Sequence, residues 1–490
     1  MRKLLGVLMN FGRMENEAVK ACNPRTGEQD FNFAVCSRTE ISNDAVRFRR
    51  AQPAWEAIGP EARAGVLMRF ADAIEEAAPQ IASALAVDTG RGAISWIEVQ
   101  TCVNTLRGWA ARGPQLFESL PTASMPSVTP GVELVTNYSA HKLFGAICPW
   151  NFPVILSHID AVPALMAGCA AIVKPSEVTP RWVAPIQEVL AEFPELPLGY
   201  VMGGPDVGQA LIEAVDYVCF TGSTATGRKV AEAAARNLIP ANLELGGKDP
   251  MIVTANADPE WAANITLRSS IVATGQACQS IERVYVAREI AEPFLEKLVA
   301  GAEQVKLTYP DANAGHLGPF IFPPQAEKVA THIADARAKG ARVLTGGEIE
   351  NLGGGKYMRP TILTDVTPDM TVMVEETFGP VLPVSVYDDL DTAIALANDT
   401  SYGLSAGVLA GSLDEASKIG ERLDAGAISL QDGGMTSMVG DAVNQSRKAS
   451  GLGPSRMGDI GMLRFLREQA MIRQTGHAMT IDMFAEGQQP

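Results

Sequence analysis

The amino-acid sequence predicts an α/β fold with largely parallel sheets, and three observations carry that expectation. From residue 141 onward, short apolar runs at 142–148, 170–173, 217–220, 251–253 and 284–286 alternate with amphipathic stretches such as 183–192 and 227–237. Such runs are too short for helices and read as strands buried on both faces, and helices between them are how parallel strands are joined. Ahead of them, Ala45, Phe48, Ala51 and Trp55, then Val66, Phe70, Ala73 and Ile74, recur at helical steps, so 43–88 reads as helical. Finally, the 490 residues, 47% hydrophobic and 20% charged, are enough for a large core and roughly three domains.

One segment breaks the rhythm. Residues 121–137 are rich in Pro, Ser and Thr, then carry Val132, Leu134 and Thr136 at the spacing of one strand face. Residues 477–484 read as a lone strand. Two unpaired strands this far apart are expected to pair with each other or across subunits, which points to oligomerisation.

Composition excludes several function classes. A dispersed net charge of −16 repels phosphate backbones and anionic lipid, so neither nucleic acid nor a membrane face is expected as a partner. The N-terminal run 1–9 is too short for a signal-peptide core, and no stretch reaches the ~18 apolar residues of a membrane span, so a cytoplasmic protein is expected. Cysteines 22, 36, 102, 148, 169, 219 and 278 are odd in number and form no CxxC pair. The histidines are scattered, and neither a disulfide framework nor a metal site is expected.

Four segments carry candidate chemistry. PWNFP at 149–153 ends an apolar strand, and its prolines fix the Asn151 amide in a turn. A rigid amide donor suits an oxyanion hole, although an asparagine there also simply caps a turn. FTGSTATG at 220–227 joins a strand to a helix and leaves backbone N–H groups for a phosphate. Arg228 follows Gly227 where a nucleotide-triphosphate loop needs GK[ST], so an ATPase is excluded. In LELGGK at 243–248, Glu244 sits in an apolar run, as a desolvated general base or as a strand-edge glutamate facing water. In GQACQS at 275–280, Cys278 lies beside polar Gln279 and Ser280, whereas each other cysteine has an apolar neighbour. Cys278 thus reads as a thiol on a loop that a substrate can reach or, equally on composition, as one more inert thiol like the other six.

Together, in order and spacing, these segments resemble the aldehyde dehydrogenase superfamily: PWNFP, VKPSE at 173–177, FTGSTxxG, LELGGK, GQxC at 275–278 and EETFGPV at 375–381. The resemblance runs from roughly Asn23 to Ile472. It implies the aldehyde dehydrogenase fold: a Rossmann-like cofactor domain (1–117 and 141–246), an α/β catalytic domain (247–469) and a small β oligomerisation arm (118–140 and 470–490). The implied reaction is NAD-dependent oxidation of an aldehyde to its acid. Cys278 would form a thiohemiacetal and then a thioester, with the Asn151 amide and the Cys278 N–H holding the oxyanion and Glu244 activating water.

For the cofactor, the resemblance implies contacts from Ile147, Pro149, Trp150, Lys174, Ser176, Glu177, Gly222, Ser223, Leu245, Gly246, Glu376 and Phe378. Glu177 at the adenosine ribose favours NAD, with NADP possible, because a carboxylate repels a 2′-phosphate. Phe152, Ile155, Ile159, Ala277 and Gln279 match positions along the aldehyde tunnel, which residues 431–438 should wall at its mouth. Ile159 stands where semialdehyde-specific relatives carry arginine, so an apolar or aromatic aldehyde is expected. The partners implied are this small molecule and further copies of the chain, as a homodimer or homotetramer.

The chain departs from the family pattern twice. Asp160 replaces a usual lysine nine residues after the catalytic asparagine, and Ser455 replaces a usual glutamate after SGxG at 450–453. In many members those two residues lie near each other behind the general base, so the usual proton route from Glu244 is in doubt. Two other readings stay open: an acylating enzyme that delivers acyl-CoA, and a catalytically silent member used as a structural or binding subunit.

Overall fold

The structure, a computed structural model, describes residues 19–486. The N-terminal run 1–9 therefore lies outside the described residues. Two large sheets dominate. The first has six strands in the order Gly451–Leu452, Ala241–Glu244, Tyr217–Thr221, Leu143–Ile147, Ala170–Lys174 and Leu198–Tyr200. All its pairings are parallel except that of Gly451–Leu452, which runs antiparallel along Ala241–Glu244. Its parallel strands are doubly wound: chain order reverses direction at the junction of Leu143–Ile147 and Tyr217–Thr221. The carboxyl ends at such a switch point open a crevice for ligands.

Alternating residues explain why these strands are apolar throughout. Leu143 and Ile147 enter one core with Ile41 and Phe48, while Phe144 and Ala146 enter another with Phe70 and Leu106. Helices therefore cover both faces, and every residue of Leu143–Ile147 is buried. The expected helical stretch 43–88 lies within three helices, Arg38–Ala57, Pro60–Glu76 and Ala78–Thr89. Gly59–Pro60 and the Pro79 near the start of the third helix mark where new helices begin, because proline is well suited to a helix's first turn.

The second sheet has seven strands in the order Arg342–Thr345, Thr361–Thr364, Val381–Tyr387, Ile281–Ala287, Asp249–Val253, Ser405–Leu409 and Ala427–Leu430. Only its Arg342–Thr345 edge is antiparallel. It too is sandwiched between two apolar cores.

Val132–Ala140 forms a three-stranded antiparallel sheet with Met125–Pro126 and Leu466–Gln474. The two distant strands do pair with each other, but the C-terminal partner is not 477–484. That stretch holds a short 3-10 helix, Ile481–Phe484, and the strand starts at Leu466, ahead of the expected arm boundary at 470. Among the described residues no helix is long and apolar enough to cross a membrane.

Candidate active site

The loops at the switch point come together in a cleft of about 290 Å³. Pro149, Trp150 and Asn151 follow the strand Leu143–Ile147, Gly222 and Ser223 follow Tyr217–Thr221, and Glu244, Leu245 and Gly246 end Ala241–Glu244. The second sheet faces them with Cys278, Glu376 and Phe378. Three chemical groups far apart in sequence, the Cys278 thiol, the Asn151 amide and the Glu244 carboxyl, thus share one wall-to-wall space.

Each is held by its own local structure. Asn151 is buried, and its Nδ2 donates to the Gln276 carbonyl at 3.0 Å, tying it to the turn that bears Cys278. A primary amide has two N–H donors, so one is left for a ligand. From the other side, the Arg91 guanidinium donates to the Asn151 backbone carbonyl. The turn before Cys278 is sharply wound: Ala273, Thr274 and Gly275 all have positive φ, at 58°, 61° and 67°. Left-handed conformations in non-glycine residues are costly and persist where surroundings enforce them. At Gly275 a side chain is also sterically impossible, since a Cβ would stand 2.3 Å from the Gly379 carbonyl oxygen. That contact joins the cysteine turn to the segment carrying Glu376 and Phe378.

Burial raises the Glu244 carboxyl above its ordinary value, and Arg456 is the foremost charge acting against that rise. Ser446 Oγ donates to Glu244 Oε2 at 2.6 Å. Desolvation, followed by the negative fields of Asp249 and Glu376, pushes the Cys278 thiol up to about 12. By surface exposure the residue is half-buried and reachable, so access and protonation are separate questions here. In the free protein, iodoacetamide labelling of Cys278 is expected to climb with pH as far as pH 10. A plateau near pH 8, read by mass spectrometry of the labelled peptide, would contradict this thiol environment.

The structure brings most of the expected cofactor contacts to this cleft. Ser223 caps the helix Thr224–Arg236, its Oγ accepting from Thr226 N, so that helix opens toward the cleft. The remaining free N–H groups of its first turn suit a pyrophosphate. A Cβ at Gly246 would lie 2.7 Å from Glu376 Oε2, so only glycine leaves that carboxylate its place. Ile147, Lys174, Ser176 and Glu177 lie off the cleft wall, on or just beyond neighbouring strand ends, with Lys174 Nζ 3.1 Å from Glu177 Oε2. A carboxylate and an ammonium beyond a sheet's carboxyl edge suit ribose hydroxyls.

The pocket residues are also off the cleft's immediate wall. Phe152, Ile155 and Ile159 lie along the helix Pro153–His158 and its two caps, all half-exposed, while Val154, Ser157 and His158 are buried. They are therefore not core. Ala277 and Gln279 flank the cysteine and are half-exposed. In the segment expected at the tunnel mouth, Gln431 is tied to the Ala410 backbone and Asp432 to Arg268. Cys22 and Cys36 are half-exposed and not core, unlike the buried Cys102, Cys148, Cys169 and Cys219.

Sequence reasoning missed Leu156, Phe322, Gln325 and Lys328, which also line the cleft. The last two sit on the helix Pro323–Ala338 and bond backbone carbonyls of Thr377 and Glu376 at 2.7 Å each. No motif marks them, and their only sequence signal is a double proline opening a helix. Also missed was the pair that fixes this segment from beneath. Lys248 Nζ lies 2.6 Å from Glu282 Oε2, and the Glu282 carboxylate accepts from the backbone N–H groups of Thr377 and Phe378.

The sequence profile of the Aldehyde dehydrogenase family matches residues 12–471. A solved structure from Anabaena variabilis, named as an aldehyde dehydrogenase, superposes with a TM-score of 0.92 at 45% identity, covering 95% of this chain and 99% of that one. Lactaldehyde dehydrogenase from Escherichia coli superposes at 0.88 with 30% identity, over 94% and 96% of the two chains. A Mycolicibacterium smegmatis relative, named as an NADP(+) succinate-semialdehyde dehydrogenase, is 35% identical over 464 residues, 93% of this chain and 88% of its own. The chain belongs to the aldehyde dehydrogenase family, whose members oxidise aldehydes with NAD or NADP.

Proposed function

We propose that this enzyme oxidises an apolar or aromatic aldehyde to its carboxylic acid, with Cys278 as nucleophile, Asn151 as oxyanion donor and Glu244 as general base. The observation that carries this reading is the convergence of those three side chains in one cleft at the switch point of a doubly wound sheet. Cys278 sulfur bonds the aldehyde carbon, and the thiol proton leaves to solvent. The second Asn151 N–H and the Cys278 N–H receive the negative charge on oxygen, a preorganised pair that needs no rearrangement. A nicotinamide held by Glu376 and Phe378 would supply the hydride acceptor for the same carbon, and Cys278 would then carry the acyl group as a thioester. Glu244 then takes a proton from water as that water attacks, and the acid departs with the sulfur restored.

Ser223, Gly246, Glu376 and Phe378 would hold the cofactor at the cleft, with Lys174 and Glu177 at its adenosine ribose. The Glu177 carboxylate favours NAD over NADP. For the aldehyde, Phe152, Ile155 and Ile159 offer an apolar wall, and Ile159 supplies no cation for a distal carboxylate. Arm residues Met125, Met471 and Ile472 are exposed and apolar, which suits burial against further copies in a dimer or tetramer. Free cysteines throughout suit the reducing cytoplasm.

The test is an aldehyde panel with NAD or NADP, with and without coenzyme A. An aromatic aldehyde is expected to exceed succinic semialdehyde in kcat/KM by roughly tenfold or more, as one unmatched charge in an apolar pocket requires. Glu244→Gln is expected to give one burst of NADH and then stall on the thioester. Strict dependence on coenzyme A would select the acylating reaction instead, and no NADH from any aldehyde would select the silent subunit.

A further inference from the structure

Behind Glu244 lies a buried charge cluster that the reaction scheme above does not use. Asp160, just before the helix Ala161–Ala167, turns its side chain inward instead of capping that helix. Its carboxylate accepts from Arg456 Nη2 at 3.0 Å and from Arg464 Nη2, and all three side chains are buried. Arg456 Nη2 also donates to Thr221 Oγ1 at 2.7 Å. Thr221 is the registered partner of Glu244 on the adjacent parallel strand, so the two point to one sheet face and Arg456 is brought beside the base. The same C-terminal segment supplies Ser446 to the Glu244 carboxyl and Gly451 as its antiparallel strand partner.

Two guanidiniums thus face a single aspartate, and Glu244 is the second carboxyl within reach of their charge. Arg456 Nε and Arg464 Nη1 are buried without a hydrogen-bond partner among the described residues. An uncompensated buried cation is costly, and an ionised Glu244 neutralises the cluster. The family's usual lysine and glutamate are both absent here. Asp160 stands for the lysine, and Arg456, next to Ser455, brings a cation to the side of the glutamate.

We propose that Arg456, anchored by Asp160 and Thr221, is the positioning residue of Glu244 and favours the anionic form of the general base. This rests on Glu244 being the base for thioester hydrolysis. The charged and titratable groups acting on Glu244 are Arg456 and Arg464, which favour its anion, and Asp160, Cys219 and Cys278, whose anionic forms oppose it. Removing Arg456's charge therefore moves the acid limb of hydrolysis upward in pH, and removing Asp160's charge moves it downward. A role in folding alone would not produce opposite shifts.

The experiment follows the NADH burst and the steady-state rate from pH 5 to 10. Arg456→Gln is expected to shift the acid limb of the steady-state rate up by about one unit, the effect of losing one nearby opposite charge. Asp160→Asn is expected to shift it down, and Arg456→Lys to restore the wild-type limb. Limbs that coincide in wild type and Asp160→Asn, with Arg456→Gln also unmoved or unfolded, overturn the proposal while a Glu244→Gln stall leaves the base intact. Wild-type turnover by Glu244→Gln would instead overturn the base itself.

Discussion

Cys278→Ala protein is expected to lose NADH formation by about ten-thousand-fold or more, the scale on which removal of a covalent nucleophile acts. No other thiol can substitute. Cys102, Cys148, Cys169 and Cys219 are buried and do not line the cleft, so an aldehyde bound there meets none of them. Cys22 and Cys36 are half-exposed but do not line the cleft. Stopped-flow fluorescence of NADH should show neither burst nor turnover, while the folded protein keeps its wild-type melting temperature within a few degrees. Turnover near the wild-type rate would remove the sulfur from the reaction.

The second large effect concerns stability. Glu282→Gln should destabilise the protein by about 3–5 kcal/mol, the usual cost of stripping the partner from a buried ion. Lys248 is fully buried, burial and then the Arg283 charge lower its ammonium, and Glu282 is the first charge sustaining it. The variant also weakens the anchoring of Thr377 and Phe378, so the KM for NAD should rise along with the fall in the urea midpoint. The double variant Lys248→Met, Glu282→Leu should recover part of the stability, because it removes both charges together. An unchanged midpoint in Glu282→Gln would show that the pair contributes nothing.

How far these features were legible in sequence depends on how local their cause is. The strands of the first sheet announce themselves because both faces are buried, and every residue in a run such as 143–147 must be apolar or small. The C-terminal arm strand was misplaced for the converse reason. Nearly all of Leu466–Gln474 is exposed, so its Arg, Glu and Gln residues show no two-residue alternation, and 477–484 looked the more apolar candidate. Asn151, Glu244 and Cys278 could be picked out because each sits in a compact motif. Glu282 and Arg456 could not, since their importance comes from partners 34 and 296 residues away. An arginine after SGLGPS reads as surface charge until the fold brings it to Asp160.

The two-residue strand Gly451–Leu452 closes the edge of a sheet whose other members all precede residue 245. During translation, five strands of that sheet can be laid down early, yet the flank of Ala241–Glu244 stays bare until almost the whole polypeptide has left the ribosome. Loop closure over such a separation is slow and comes late. A chain cut short before residue 445 would therefore hold the five earlier strands while lacking the segment that brings Ser446 and Gly451 to Glu244.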